Sequence, residues 1–332
     1  MGERRSTIKD VARMAGVSMT TVSHALSAKR PVSPETASRI QAAIEELGYV
    51  PSSAARMLQA GRTLMIGLVV PDVSDPFFGS LAVGVEQAAD ESGYGVVLSS
   101  SSHASERHAR YFDLLRSRTI DGLIYVAGDA GRDPQLAELA RSFPVVLADE
   151  WVAGFDRIPL IAADHRMGGR LVGEHLRALG HRVVSVVSGP PGLRSADDRM
   201  AGFREIFPQA AVIAGDFTEE TAARATGEHL ASRAEPPTAI FAVNDLSALG
   251  AIDALLAAGL SVPGQVSVAG FDDVAFARRL QPPLTTVHQP IDEIGGLATR
   301  TLIELIGGAA PVSPPPRPVE LVVRESTAPP RP

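Results

Sequence analysis

The run Thr7-Ile8-Lys9-Asp10-Val11-Ala12-Arg13-Met14-Ala15-Gly16-Val17-Ser18-Met19-Thr20-Thr21-Val22-Ser23-His24-Ala25-Leu26-Ser27 reads as a helix, a glycine break and a second helix. Ile8, Val11, Ala12 and Ala15 recur at i, i+3, i+4 and i+7 and so line one helix face. Gly16 ends that helix, and Ser18 caps the next, in which Val22, Ala25 and Leu26 are predicted to face inward. A third helix starts at Ser33-Pro34-Glu35, with an N-cap, a proline in the first turn and a carboxylate near the positive end. Its buried stripe is Ala37, Ile40, Ile44 and Leu47, and Gly48 stops it. The spacing suits a helix-turn-helix that places its second helix in the major groove of DNA. It suits an ordinary helical hairpin equally well.

The charge is unevenly distributed around this segment. The 332 residues carry a formal charge of −7, which as an average argues against a phosphate-bearing partner. Met1 to Arg62, however, holds nine basic and five acidic residues, a balance of +4, so the remainder stands at −11. At 45% hydrophobic and 21% charged, the chain has the composition of a globular protein of about two domains.

The absence of cysteine excludes disulfides, thiolate zinc sites and cysteine nucleophiles. Lys9 and Lys29 are the only lysines, which leaves the rest of the chain without a P-loop or Schiff-base lysine. No Gly-x-Ser-x-Gly, His-Glu-x-x-His or post-strand Gly-x-Gly-x-x-Gly occurs. His165, His175, His181 and His229 lack ligand spacing and are expected on surfaces or at caps. We therefore expect no enzyme, no catalytic constellation, no metal site and no cofactor. Arg4 and Arg5 are not followed by an apolar export segment, and no apolar run approaches the ~20 residues of a membrane span, so a cytoplasmic protein without membrane association is expected.

Beyond a small, polar linker at 51–62, apolar strands alternate with stretches of helical period. Strands are predicted at 65–70, 96–98, 123–126, 145–147 and 160–162, then at 183–187, 211–213, 240–243 and 266–269. Helices are predicted at about 167–179, 196–207, 221–232, 245–258 and 291–306. Short continuous apolar strands between helices imply parallel sheets covered on both faces. The expected fold is an all-α headpiece (1–50), the linker (51–62) and an α/β core (63–327) of two doubly wound parallel-sheet subdomains. These are 63–163 plus 291–327, with Val319 to Val323 returning to the first sheet, and 164–290. The Pro-rich end at 328–332 is expected to be disordered.

The run from Thr7 to Ser27, with Val32-Ser33-Pro34-Glu35-Thr36 and Ala43 to Pro51, closely resembles the headpiece of the lactose-repressor family of bacterial transcription regulators. The resemblance extends through the core. It is carried there by Ile66 to Asp72, Asp75-Pro76-Phe77-Phe78, Asp121-Gly122-Leu123-Ile124, Gly180-His181-Arg182, Arg199-Met200-Ala201-Gly202-Phe203, Ala242-Val243-Asn244-Asp245 and Gly270-Phe271-Asp272-Asp273. It implies a core with the fold of periplasmic sugar-binding proteins.

For the headpiece, the resemblance places Met19, Thr20 and His24 at base edges, where they have suitable chemistry: apolar contact with a thymine methyl, a hydroxyl, and a ring donor. Thr7, Ser18, Thr21, Ser23 and Lys29 fall on the phosphate side, although Ser18 and Ser23 also suit plain capping. It makes Ala54 to Leu58 a hinge helix, with Ala55 on the DNA and Leu58 as a minor-groove wedge; the alternative is that Leu58 packs on its own domain.

A sugar-like ligand needs planar polar groups and an aromatic wall. Phe77 and Phe78 are candidates for the wall, Asp149, Arg199, Asn244, Asp272 and Gln289 for the grip, and Trp151 for the pocket lining. Each has a plainer role open to it: helix-start core for the phenylalanines, a loop for Asp149, helix caps for Asn244 and Asp272, and a strand cover for Trp151. Arg199 is read as opening a helix, where it opposes the dipole unless a partner offsets it. Asp149-Glu150-Trp151 departs from the commoner family pattern of aspartate followed by arginine.

The resemblance implies a homodimeric repressor that binds double-stranded, pseudo-palindromic operator DNA under allosteric control by a sugar-like or purine effector. The family's tetramerising heptad tail is not seen after Ser326. The alternatives are a solute-binding protein of a sugar transport system and an α/β enzyme with a regulatory DNA-binding domain.

Overall fold

The computed structural model describes residues 6–27, 30–49, 62–101, 113–128, 134–155 and 157–331. Two compact units divide the chain, Met1–Leu64 and Met65–Pro332.

The first unit holds α1 (Ile8–Ala15), α2 (Met19–Ser27) and α3 (Pro34–Leu47). Val11, Ala12, Ala15, Val22, Ile40, Ala43 and Tyr49 are its buried core, with Ile8, Val17, Ala25, Ile44 and Leu47 packed around them. Leu26, predicted to face inward, is 40% exposed because it lies in the last turn of α2, beyond the surface its neighbours cover. Tyr49 was not anticipated. The left-handed Gly48 (φ 56°) turns the chain so that the Tyr49 N–H reaches the Ile44 carbonyl at 3.0 Å and the ring is buried.

In the second unit, β1 (Met65–Val70), α4 (Pro76–Glu91), β2 (Gly95–Ser100), β3 (Gly122–Tyr125), α5 (Pro134–Leu139), β4 (Val145–Ala148) and β5 (Leu160–Ile161) build the first lobe. Its parallel sheet has the order β2-β1-β3-β4-β5. The second lobe contains α6 (His165–Ala178), β6 (Val184–Val187), α7 (Arg194–Ile206), β7 (Ala211–Ile213), α8 (Glu219–Ala231), β8 (Ala239–Ala242), α9 (Asp245–Ala257), β9 (Ser267–Asp272) and β10 (Thr285–His288). Then α10 (Ile291–Ile306) returns to pack on α4, β3, β4 and β5, and β11 (Glu320–Val322) follows it. The second sheet runs β11-β10-β9-β8-β6-β7. The central strands β4 of the first sheet and β8 of the second are continuous, buried apolar runs, as parallel strands covered on both faces require.

Two expectations change here. The strand expected at Val319 to Val323 does not join the first sheet, since β11 pairs antiparallel with β10, with Val287 opposite Leu321. On the way it touches the first lobe's edge, where the Arg317 N–H donates to Ala162 and the Asp164 N–H donates to Arg317, at 2.8 and 2.9 Å. The region 291–327 is thus shared, its helix in the first lobe and its strand in the second. The described part of the Pro-rich tail is also held in place. The Ala328 carbonyl accepts from His181 Nε2 and Ser267 Oγ, both at 3.0 Å, and its N–H donates back to Ser267. His181 is thereby buried instead of lying on the surface. Among the described residues no helix is long and apolar enough to cross a membrane.

Candidate functional site

In the first unit, Asp10 accepts from the Thr7 N–H at 3.0 Å and from the Thr7 hydroxyl at 2.6 Å, which fixes the start of α1. Gly16 takes a left-handed conformation (φ 66°) that needs no Cβ, and its N–H turns back to Ala12 and Arg13. Ser18 Oγ accepts from the Thr21 N–H at 3.0 Å and lies 2.9 Å from the Thr21 hydroxyl, so it caps α2. Val22 anchors α2 inward, leaving Met19 (52% exposed) and Thr20 outward, while Thr21, Ser23 and His24 are half-buried. The expected hinge residues Ala55 and Leu58, and Lys29, lie outside the described residues.

In the second unit, strand order reverses between β1 and β3 and between β6 and β8. Loops leaving the carboxyl ends of such strands form a crevice. Here the two crevices face each other across a cavity of about 380 Å³, toward the lower end of the usual range for ligand sites. Six of the predicted residues line it: Phe77, Phe78, Asp149, Arg199, Asn244 and Asp272. The Phe77 and Phe78 rings meet edge to face at 5.1 Å, and Phe217 and Leu246 supply apolar surface from the second lobe. Asn244 Oδ1 caps α9 by accepting from the Ser247 N–H, and the residue also lines the cavity.

Arg199 lies at the centre of the buried polar groups on this side of the cavity. Its position differs from expectation: α7 begins at Arg194, so Arg199 lies within the helix and not at its opening. It is 3% exposed. Its Nη1 donates to the Val243 carbonyl at 2.7 Å and to Asp272 Oδ1 at 3.1 Å, its Nε to His165 Nδ1 at 3.3 Å, and its guanidinium stacks 4.1 Å from the Phe271 centroid. Because Nε can only donate, His165 Nδ1 accepts and the ring proton sits on Nε2. That nitrogen faces Asp149, 3.3 Å from its carbonyl and 3.4 Å from Oδ1. His165, expected on a surface or at a cap, is therefore buried and bonded from within the core.

Gln289 and Trp151 do not line the cavity. Gln289 lies buried behind it, its Nε2 donating to Asp272 Oδ1 at 2.6 Å. Trp151 is half-buried beneath the Arg194 guanidinium at 5.4 Å. The sequence reading overlooked the neighbour of both Asp149 and Trp151. Glu150 is 2% exposed and reaches across to the second lobe, where its carboxylate accepts from the Arg194 N–H (2.9 Å) and the Ser195 N–H and hydroxyl (2.6 Å to the latter). It satisfies the N-terminus of α7 from outside the helix, where negative charge is favoured. Asp75 was also overlooked as a site residue. It caps α4 by accepting from the Phe77 N–H at 2.9 Å, and it lines the cavity.

These carboxylates perturb one another. Burial pushes Asp272 well above the usual range, Arg199 opposes this, and Asp245, Asp75 and Asp149 add to it. Burial also raises Asp75 and Glu150. Burial raises Asp149 too, but the His165 N–H and Arg199 more than offset it and leave its carboxyl low. Asp149 (φ 61°) and Asp272 (φ 115°) adopt left-handed backbone, a strain of ~1–3 kcal/mol each of the kind found at ligand sites.

A three-helix unit with an outward second helix, followed in the chain by a two-lobed α/β core around a ligand-sized cavity, defines the class of ligand-responsive DNA-binding regulators. Comparison with known proteins makes this specific. Residues 7–52 match the bacterial regulatory proteins of the lacI family, and residues 174–327 match the periplasmic binding protein-like domain. The ribose operon repressor of Halalkalibacterium halodurans is 37% identical over 307 residues, covering 91% of this chain and 90% of the repressor. The transcriptional repressor PurR of Photobacterium profundum is 34% identical over 310 residues, covering 91% and 92%. Among solved structures, the Lac repressor dimer bound to operator and the anti-inducer ONPF matches with a TM-score of 0.86 at 30% identity, covering 98% of this chain and 100% of that one. A regulator from Enterococcus faecium with bound ribose matches at 0.71 and 28%, covering 80% and 99%. The chain belongs to the LacI family of DNA-binding transcriptional repressors.

Proposed function

We propose that this protein is a homodimeric repressor of the cytoplasm that reads a pseudo-palindromic operator through Met19, Thr20 and His24 of α2. Its operator affinity is set by a small metabolite held between the lobes of the core. The observation that carries this reading is the division of the cavity: Phe77, Phe78 and Asp149 come from one lobe, and Arg199, Asn244 and Asp272 from the other. A ligand gripping both lobes binds one relative orientation better than another, which is what a ligand needs in order to shift a conformational equilibrium. Two-fold protein symmetry would match a two-fold operator. Thr7, Ser18, Thr21, Ser23 and Lys29 would set register on phosphates, with Ala55 and Leu58 entering the minor groove. The ribose-bound relatives support a sugar-like effector and the PurR relatives a purine.

Fluorescence anisotropy with DNA from the protein's own promoter region tests the reading. The full chain should bind one site with a steep salt dependence, Leu58→Ala should lose most of that affinity, and deletion of residues 1–62 should abolish it while the core still unfolds cooperatively. Specific binding that survives the deletion refutes the assignment.

A further inference from the structure

We propose that Glu150 is a reversible latch between the two lobes, closed in the arrangement of this structure, whose release frees the lobe rotation by which a ligand in the cavity changes operator affinity. This rests on reading the cavity as the effector site.

Glu150 belongs to the first lobe, in the bend that leaves β4, and its carboxylate bonds mainly to the second. Oε1 accepts from the Arg194 N–H at 2.9 Å, and Oε2 accepts from the Ser195 N–H at 3.2 Å and the Ser195 hydroxyl at 2.6 Å. From its own lobe it receives the Trp151 N–H at 3.1 Å. Arg194 and Ser195 open α7, and the local sequence leaves that helix end unserved. In the same lobe, α6, α8 and α9 carry their own caps, Asp164, Thr218 and Asn244. The residue before α7 is Leu193, which has no side-chain oxygen to offer, so the first amides of the helix are satisfied from the other lobe. Whether they stay satisfied therefore depends on how the lobes are oriented. The next residue in the same bend, Trp151, lies beneath the Arg194 guanidinium at 5.4 Å and adds a second contact across the boundary.

Two features make this contact a latch and not a permanent staple. First, it is close to balanced. Glu150 is 2% exposed, and among the described residues no arginine or lysine pairs with it, since the Arg194 guanidinium is turned to Asp198 and Trp151. Burial pushes its carboxyl up while the bonds from Ser195 pull it down. A buried carboxylate held by hydrogen bonds alone regains its hydration when the contact opens, which offsets much of what opening loses. Second, the latch forms part of the cavity wall, because Glu150, Leu193 and Ser195 all line it. A ligand hydroxyl placed there competes with Ser195 for the carboxylate, or with the carboxylate for Ser195. Ligand and latch then act on the same atoms, which gives a ligand different affinities for the latched and unlatched arrangements.

The chain has one tryptophan, which lies in the latch, and no cysteine, so both can serve as site-specific probes in the full-length protein. Glu150→Ala should make Trp151 about twofold or more easier to quench with acrylamide and speed hydrogen exchange at the Arg194 and Ser195 amides about tenfold or more, with Glu150→Gln falling between it and the parent. Glu150→Cys combined with Ser195→Cys, joined by a short thiol-to-thiol linker such as dibromobimane, holds the latch shut. Operator affinity, measured on DNA from the protein's own promoter region, should differ about fivefold or more between the linked form and Glu150→Ala, with the parent at or between the two. Where Glu150→Ala does not unfold cooperatively, Ser195→Ala, which removes the 2.6 Å hydroxyl bond alone, should shift the same readouts about threefold. Unchanged quenching and exchange overturn the inference, as do operator affinities of the linked and opened forms within about twofold of each other. Operator binding that is normal in every form leaves the repressor reading standing and the latch fallen. Absence of operator binding in the parent sinks that reading, and the latch's role in it, even where quenching and exchange show the contact opening.

Discussion

Replacing Arg199 by methionine isolates the electrostatic arrangement of the site. The unbranched side chain retains apolar volume against Phe271 but removes the donors to Val243 (2.7 Å), Asp272 (3.1 Å) and His165 (3.3 Å). Asp272 then has Gln289 Nε2 as its remaining side-chain donor, among carboxylates that already push it upward. Removing one member of a buried pair costs about 3–5 kcal/mol when the other stays charged. Protonation of Asp272 limits that cost. A carboxyl whose folded pKa exceeds its ordinary value of 3.8 contributes stability that is full below that value and is lost as pH rises through the folded pKa. Losing Arg199 raises the folded pKa further, so the deficit of Arg199→Met should grow with pH, from about 1–2 kcal/mol near pH 5, the cost of lost hydrogen bonds, to about 3 kcal/mol near pH 8. Adding Asp272→Asn should recover about 2 kcal/mol relative to the sum of the single changes. Urea unfolding followed by Trp151 fluorescence measures this cleanly, because the sole tryptophan lies in the core unit and the headpiece is silent. Additivity of the two substitutions, or a deficit independent of pH between 5 and 8, refutes the reasoning.

Gly169 sits where α6 crosses α7, and a Cβ there would fall 1.9 Å from the Arg199 carbonyl oxygen. Gly169→Ala should therefore cost about 2 kcal/mol and also weaken ligand binding by displacing Arg199, whereas a lowered melting point with ligand affinity intact would contradict this. Burial pushes Asp245 up to about 7 despite its bonds from Thr286 and Val274. Its contribution to stability is thus lost as pH climbs from about 4 through 7, and Asp245→Asn should flatten the decline seen in urea midpoints across that window. In the headpiece, Val22→Ala should lower its stability by about 2 kcal/mol, while Thr20→Ala should leave the melting curve unchanged and reduce operator affinity. Gln289→Leu should keep ligand affinity within about threefold yet shrink the ratio of operator affinities measured with and without ligand; an unchanged ratio counts against any role for the segment in coupling.

The lobes were legible because a strand buried on both faces has to be a continuous apolar run, so Met65–Val70 and Val145–Ala148 can be read directly. The strand Thr285–His288 was not, because half of its residues are threonines. They are buried only because their hydroxyls are used, Thr286 by Asp245 and Thr285 by Thr327. The partner of Glu320–Val322 could not be read either, since three residues carry no information about which sheet edge is open. The tail at 328–332 reads as disorder from its prolines, yet the Ala328 carbonyl accepts from His181 and Ser267 and its N–H donates to Ser267. At the site, Arg199 stands out in the sequence as an arginine at a helix opening, but the structure places it inside α7, and its buried bonds to Val243 and Asp272 are what account for it. Glu150 and His165 gain their roles from residues 45 and 34 positions away on the other side of a turn in the chain, and no local pattern encodes that.

The placement of Asp272 links the ligand to the geometry of the whole core. It ends β9, lines the cavity, pairs with Arg199 and accepts from Gln289. Gln289 is followed directly by the segment that leaves β10 for α10 and so crosses from the second lobe to the first. The other crossings lie near Ala163 and Arg317, which are joined to each other by a bridge and two backbone hydrogen bonds. Lobes connected only through such narrow segments, and held across the cleft by Glu150 at the N-terminus of α7, rotate more readily than they deform, because packed lobes resist deformation far more than linkers do. A ligand that competes for the Asp272 carboxylate acts on a crossing segment through a single hydrogen bond. One that draws Asp149 also pulls on the residue next to Glu150. The cavity is therefore in direct contact with both the hinge and the contact that holds the lobes together, and a change in its occupancy need travel no further than one residue to reach either.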